Sequence, residues 1–258
     1  MNDQNRVNDL YVKKNTLSTR INLHQKYSVN KYGWNNWVFD QYSISENNRI
    51  IEFGCGTGSI WKDNGNILPN CVEIILTDIS PLMIEKAKEN LSKNKLFSYH
   101  LMDIQNVPFP DNSFDIVIAN HMLYHVPDIQ KALSEIKRIL KNNGVFYATT
   151  VGMYHLMQLE TIYRIFDNLC KFSYSSDLSF ILENGYNLLR NYFSDIDKRS
   201  YIDSLEVTDA SDLMDYIASY NNIPKKIYQE IEKIINKEIE LNGIMKISKN
   251  SGMFICKK

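Results

Sequence analysis

Residues 49–58, RIIEFGCGTG, join an apolar run to an acid and three alternating glycines, so that Glu52 is followed by Gly54, Gly56 and Gly58. Glycine lets a chain turn with φ above zero and brings backbone N–H groups against a ligand with no Cβ in the way. Such a turn after a strand of an open α/β sheet sits at the crevice beyond the carboxyl ends of the strands, where nucleotide-like ligands lie. A second acid, Asp78, stands 20 residues after Gly58 at the end of another apolar run, where a carboxylate can take two ribose hydroxyls. A third, Asp103, closes the next run and is followed by Ile104. By itself a glycine turn is equally an ordinary strand-to-helix corner, and Asp78 and Asp103 are also plausible turn or capping carboxylates. Their agreement in order is what points to chemistry.

Two further groups invite a metal reading and do not sustain it. His121 and His125 are four apart, but Met122 stands where the glutamate of H-E-x-x-H would be and no third ligand is evident. The expected state is no metal. Cys55, Cys71, Cys170 and Cys256 are widely separated and form no C-x-x-C pair, so reduced thiols are expected.

The elements that must hold these residues follow from hydrophobic spacing. Residues 49–53, 73–78, 97–102, 115–120 and 144–151 read as mostly buried, parallel-type strands. Between the second and third, Pro81 opens a helix with Leu82, Met83, Ala87 and Leu91 on its apolar side; between the fourth and fifth, Ile129, Leu133, Ile136, Ile139 and Leu140 recur at helical spacing. Strand and helix alternating in this way predict a Rossmann-like, doubly wound, mostly parallel seven-stranded α/β sheet with helices on both faces. Residues 27–41 read as one aromatic-rich helix, 198–207 as a sixth strand, 209–242 as a helical cap inserted between late strands, and 243–258 as a hairpin turning at Ser251 and Gly252.

The pattern E-x-G-x-G-x-G, then Asp78, then Asp103 with the run VPFPDNSFDIVIANHMLYHV over 107–126, resembles the class I S-adenosylmethionine-dependent methyltransferases of the small-molecule, type 11-like branch, across about 100 residues. The resemblance implies that Glu52 and the backbone of Gly54, Cys55 and Gly56 surround the methionine part of S-adenosylmethionine. It gives the ribose hydroxyls to Asp78, the adenine to Ile79 and Met83, the adenine edge to Asp103 and Ile104, and the amino group to the backbone carbonyl of Asn120. Ser59, Ile60 and Trp61 depart from the small residues common after the glycines, which predicts a short or tilted first helix. A NAD-type Rossmann site is the nearest alternative; its G-x-G-x-x-G spacing differs, and Glu52 would repel a pyrophosphate while attracting a sulfonium and an ammonium. Binding of S-adenosylmethionine without turnover, or use of the fold as an interaction module, is the other.

Methyl transfer from a sulfonium to a small-molecule acceptor is an in-line displacement that gains from alignment and exclusion of water, and His125 or Tyr124 is the expected base where the acceptor must lose a proton. Residues 1–45 are expected to form a helical lid using Tyr27, Tyr32 and Trp37, residues 46–152 the cofactor core, and 153–258 the substrate-side helices and last strands of the same domain. With 29 basic and 30 acidic side chains, the formal net charge of -1 supplies no positive field for nucleic acid or anionic lipid. No apolar run approaches the roughly 18 residues of a membrane span and no secretion signal opens the sequence, so a cytoplasmic protein without nucleic-acid or membrane partners is expected.

Overall fold

The computed structural model describes residues 16–91, 95–169, 172, 175–220 and 223–258. The first third of the expected lid, and Cys170, lie outside them. Helix α1 (Thr16–Tyr27) and helix α2 (Trp34–Asp40) precede the sheet. Then come β1 (Arg49–Phe53), α3 (Ser59–Asn64), β2 (Glu73–Asp78), α4 (Pro81–Leu91), β3 (Phe97–Leu101), β4 (Phe114–Asn120), α5 (Ile129–Ile139) and β5 (Leu140–Val151). The second half runs α6 (Met157–Arg164), α7 (Gly185–Leu189), β6 (Asp195–Val207), α8 (Ala210–Tyr220), α9 (Lys225–Asn242) and β7 (Met245–Lys257).

Seven strands form one sheet in the order β3-β2-β1-β4-β5-β7-β6. The first five are parallel, with Ile50 of β1 opposite Ile74 on one side and Ile116 on the other. Only β7 runs against its neighbours, pairing antiparallel with both β5 and β6. The chain moves outward from β1 in one direction and from β4 in the other, so the crevice of a doubly wound sheet opens beyond the ends of these two strands. Alternate residues feed opposite faces: Ile51, Phe53, Val117 and Phe146 pack on α5, while Ile50, Ile74, Leu76 and Ile118 pack on Trp61, Ala87 and Leu91. A separate apolar cluster joins Leu23 and Tyr27 of α1 to α6, α8 and α9 over the ends of β6 and β7.

Two expectations are corrected. Residues 27–41 are not one helix: α1 ends at Tyr27, Ser28 makes a β-bridge with Leu205, and Gly33 (φ 88°) restarts the chain into α2. The break is fixed by pairing, since the Asn30 N–H donates to Asp203 and the Val29 N–H to the carbonyl of Ser204. Nor do residues 243–258 turn at Ser251 and Gly252; they are the single strand β7. A Cβ on Gly252 would stand 2.4 Å from the Arg199 carbonyl oxygen, so this glycine permits close strand packing and makes no turn. The short first helix is borne out, α3 having six residues.

Candidate active site

The three glycines all take positive φ, 64° at Gly54, 55° at Gly56 and 70° at Gly58, and the loop they form wraps the end of β1. Their surroundings differ. A Cβ on Gly54 would lie 2.8 Å from Cβ of Met122, and one on Gly58 2.8 Å from Leu91 Cδ1, whereas one on Gly56 would meet nothing within 4 Å. Gly54 and Gly58 therefore serve close packing, and Gly56 leaves a wall open.

That wall belongs to a cavity of about 400 Å³, within the range of small-ligand sites. Glu52, Gly54, Cys55, Gly56, Asp78, Ile79, Met83, Asp103, Ile104, Asn120 and His125 all line it. Every residue expected to touch a cofactor is thus brought to one place. Tyr124 is not among the lining residues; its ring packs edge-on against His125 at 4.6 Å and against the apolar core. The expected lid aromatics are not there either. Tyr27 is buried with its hydroxyl donating to Asp212 at 2.6 Å, Tyr32 is exposed and donates to Asp40, and Trp37 packs on Trp34 and Tyr201. Ile21 of α1 with Trp34 and Asn35 of α2 line the cavity instead, and Trp34 lies 5.0 Å from His121.

Glu52 is only 3% exposed. One carboxylate oxygen accepts from the Trp61 indole N–H and the other from the Asn120 side-chain amide at 2.8 Å. Asn120 also donates to the Tyr42 hydroxyl at 2.8 Å, and Tyr42 stacks on Trp61 6.0 Å away. Burial pushes the Glu52 carboxyl up, against the downward pull of its two donors. A buried acid in this condition gains from a nearby positive charge. Asp78 is raised by burial too, while its oxygens accept the N–H groups of Gly56 at 3.0 Å and Ser80 at 2.8 Å, so it braces the glycine loop as well as facing the cavity. Asp103 accepts from the Gln105 backbone at 2.9 Å and from its side chain at 3.1 Å. The Cys55 thiol is pushed up by burial and does not offer a thiolate. His121 sits just past β4 with φ 49°, its N–H donating to Thr149, and burial lowers its pKa to about 4. Ile21 and Trp34 were the hardest to find from sequence, since nothing but their size marks them as neighbours of the site, whereas Trp61 follows Gly58 by three residues.

The family described as a methyltransferase domain matches residues 51–148. These residues form a class I S-adenosylmethionine-dependent methyltransferase domain. Among curated proteins the chain is similar to the ubiquinone/menaquinone biosynthesis C-methyltransferase UbiE of Pectobacterium carotovorum, 27% identical over 133 residues, 50% of this chain and 53% of that one. It is also similar to the malonyl-[acyl-carrier protein] O-methyltransferase of Legionella pneumophila, 28% identical over 121 residues, 47% of this chain and 42% of that protein. The chain spans about half the length of these relatives. Among solved structures, phosphoethanolamine N-methyltransferase 2 of Haemonchus contortus in complex with S-adenosyl-L-methionine superposes with a TM-score of 0.64 at 17% identity, over 100% of this chain and 60% of that chain, a likeness of fold. The family's cofactor is S-adenosylmethionine; in this chain Glu52, Asp78 and Asp103 line one cavity near the ends of β1, β2 and β3, together with Gly56.

Proposed function

We propose that the chain transfers a methyl group from S-adenosylmethionine to a small-molecule acceptor by direct in-line displacement. The observation that carries this reading is the convergence of Glu52, Asp78 and Asp103 on one cavity whose wall is open at Gly56. S-adenosylmethionine supplies, when bound, an electrophilic methyl on a sulfonium. Glu52 and the backbone of Gly54, Cys55 and Gly56 surround the methionine part, and the Asn120 carbonyl holds its ammonium. Asp78 takes the ribose hydroxyls, Ile79 and Met83 flank the adenine, and Asp103 with Ile104 reads its edge. The buried Glu52 favours a cationic ligand over a pyrophosphate. His125, lining the cavity from the loop after β4, accepts the acceptor's proton where one must leave. Trp34 and Ile21 exclude water from the transfer.

The names of the curated relatives, which concern ubiquinone, menaquinone and a carrier-bound malonyl group, support a small-molecule class of acceptor. Residues 46–152 act as the cofactor core, the described part of 1–45 as a lid over it, and 153–258 as the substrate-side helices and last strands of the same domain. The balanced charge, and the absence of any described helix long and apolar enough to cross a membrane, support action in the cytosol on neither nucleic acid nor bilayer. Calorimetry with S-adenosylhomocysteine and NAD tests the cofactor: saturable binding of the first alone is expected, and NAD binding with no response to the sulfur compound overturns the reading. Formation of S-adenosylhomocysteine from S-adenosylmethionine in a metabolite mixture then separates transfer from binding without turnover.

A further inference from the structure

Glu52 is a buried acid whose two oxygens are bonded by neutral groups, an indole and an amide. A carboxylate taken out of water persists as an anion only where donors replace the water it has lost. Trp61 is one of those donors, and its ring is held in place. It stands in the first turn of α3, three residues after Gly58, and is 1% exposed. Tyr42 stacks on its ring with centroids 6.0 Å apart, while Phe39 meets it edge-on at 6.1 Å and Phe97 at 5.9 Å. So fixed, its N–H donates to one Glu52 oxygen at 2.5 Å.

Asn120 secures the other oxygen and closes the arrangement. Both protons of its amide nitrogen are used, on Glu52 at 2.8 Å and on the Tyr42 hydroxyl at 2.8 Å, and its amide oxygen accepts from the Thr149 hydroxyl at 3.2 Å. An ionised carboxylate only accepts, which decides which end of the amide is nitrogen. Trp61, Glu52, Asn120 and Tyr42 thus form a closed ring of contacts: indole on acid, amide on acid, amide on hydroxyl, and tyrosine ring on indole. Side-chain networks of this kind rigidify when every member is satisfied.

The groups around the acid make its two donors matter. Burial and, to a lesser extent, Asp78 of β2 disfavour ionisation of Glu52, whereas the Trp61 indole and then the Asn120 amide favour it. Tyr42, from the segment after α2, and Cys55, from the glycine loop, are held protonated by burial and by Glu52 itself. His121 and His125, on the loop after β4, line the same cavity, and burial keeps His121 neutral at pH 7. We propose that Trp61 is a positioning residue for methyl transfer: its indole N–H, with the Asn120 amide, holds Glu52 as an anion in the cavity wall to receive the cationic methionine end of S-adenosylmethionine. This rests on the reading of the chain as a methyltransferase and adds to it a residue that acts through Glu52. The acid then has no proton to lose when the ligand enters.

The test uses the full chain with carbon-13 in its glutamate carboxyls and nitrogen-15 in its indoles. Glu52→Gln identifies the Glu52 signal, and Trp34→Phe and Trp37→Phe identify the other two of the three tryptophans. In the native protein the Trp61 N–H should shift with pH at the same midpoint as the Glu52 carboxyl. Trp61→Phe keeps an aromatic ring and removes the donor, so it should raise the Glu52 midpoint by about one pH unit or more. By calorimetry, S-adenosylhomocysteine affinity should fall as pH drops through the Glu52 midpoint. In Trp61→Phe that fall should begin at correspondingly higher pH, leaving the variant up to about tenfold weaker at acid pH. Lost packing alone would weaken binding equally at every pH and leave the Glu52 midpoint in place.

An unchanged Glu52 midpoint in folded Trp61→Phe, with S-adenosylhomocysteine bound normally by the native protein, overturns the inference and leaves the cofactor reading standing. A raised midpoint with an undisplaced pH profile of binding also overturns it. A raised midpoint in a chain whose native form binds no S-adenosylhomocysteine overturns the cofactor reading and leaves only the hold of Trp61 on the acid. If Trp61→Phe does not fold, the native titration decides: a Trp61 N–H that does not follow the Glu52 carboxyl overturns the proposal.

Discussion

Replacing Gly56 by alanine should separate ligand binding from stability. Its φ of 55° lies in the left-handed region, where an L side chain costs roughly 1–2 kcal/mol. Its new methyl would meet no protein atom within 4 Å, so no packing cost is added. At about 2–4 °C per kcal/mol for a chain of this size, Gly56→Ala should melt roughly 2–8 °C below the native protein. Gly54→Ala carries the same conformational cost, and its methyl would also lie 2.8 Å from Met122 Cβ and 2.9 Å from its Cγ. Overpacking of that kind adds about 1–3 kcal/mol, so Gly54→Ala should be the less stable of the two. The methyl at Gly56 instead stands in the cavity beside Asp78 and should weaken S-adenosylhomocysteine at least tenfold, about 1.4 kcal/mol. Thermal melting and calorimetry on both variants measure these quantities. Native affinity in folded Gly56→Ala, or a lower melting temperature for Gly56→Ala than for Gly54→Ala, would refute the placing of ligand against this wall.

Asp78→Ala removes the acceptor of two backbone N–H groups as well as a cavity carboxylate, so it should weaken S-adenosylhomocysteine tenfold or more by calorimetry and also lower the melting temperature. Trp34→Ala should weaken cofactor binding, while Tyr27→Phe, which loses a hydrogen bond to Asp212 outside the cavity, should cost about 1 kcal/mol of stability and leave affinity unchanged. His24, His121 and His155 have folded pKa values below that of the unfolded chain, so the unfolded state binds more protons and stability falls as pH drops from about 6.5 toward 4. Urea unfolding should show this slope, softened by Glu52 and Asp78, whose raised values act in the opposite direction, and His155→Gln should flatten it. Turnover should persist in excess chelator; loss of activity restored by magnesium would contradict the metal-free reading.

The parallel half of the sheet was legible because its strands carry their own pattern: β1 and β2 have the bounds that the apolar runs predict, and each carries an acid at its end or one residue before it, Asp78 and Glu52, that nothing in strand propensity asks for. The cavity residues next to these strands were legible for the same reason, lying at or beside the strand ends in sequence. What was hidden depends on partners distant in sequence. Gly252 reads as a turn until the Arg199 carbonyl is seen against it, and Tyr27 and Trp34 look like one helix until Asp203 and Ser204 capture the chain between them. Size alone could not say that Trp34, and not Trp37 or Tyr32, would cover the cavity, nor that Tyr124 would turn its ring to the core.

The position of β7 has a consequence for how the chain acquires its shape. β5 is complete at Val151, yet its native neighbour begins only at Met245, and β6 emerges first with the same direction as β5. Throughout that interval the outer edge of β5 is an open template, and β6 is free to pair with it in parallel. Such a premature ladder would have to part before β7 could enter, a kinetic trap of the sort that slows sheets with distant partners. The escape is built into β6 and β7 themselves, which pair along their full length from Asp195↔Lys257 to Val207↔Met245. Joined by α8 and α9, they can dock onto β5 as a ready-made ribbon, so completion of this half of the sheet waits on the arrival of one antiparallel pair.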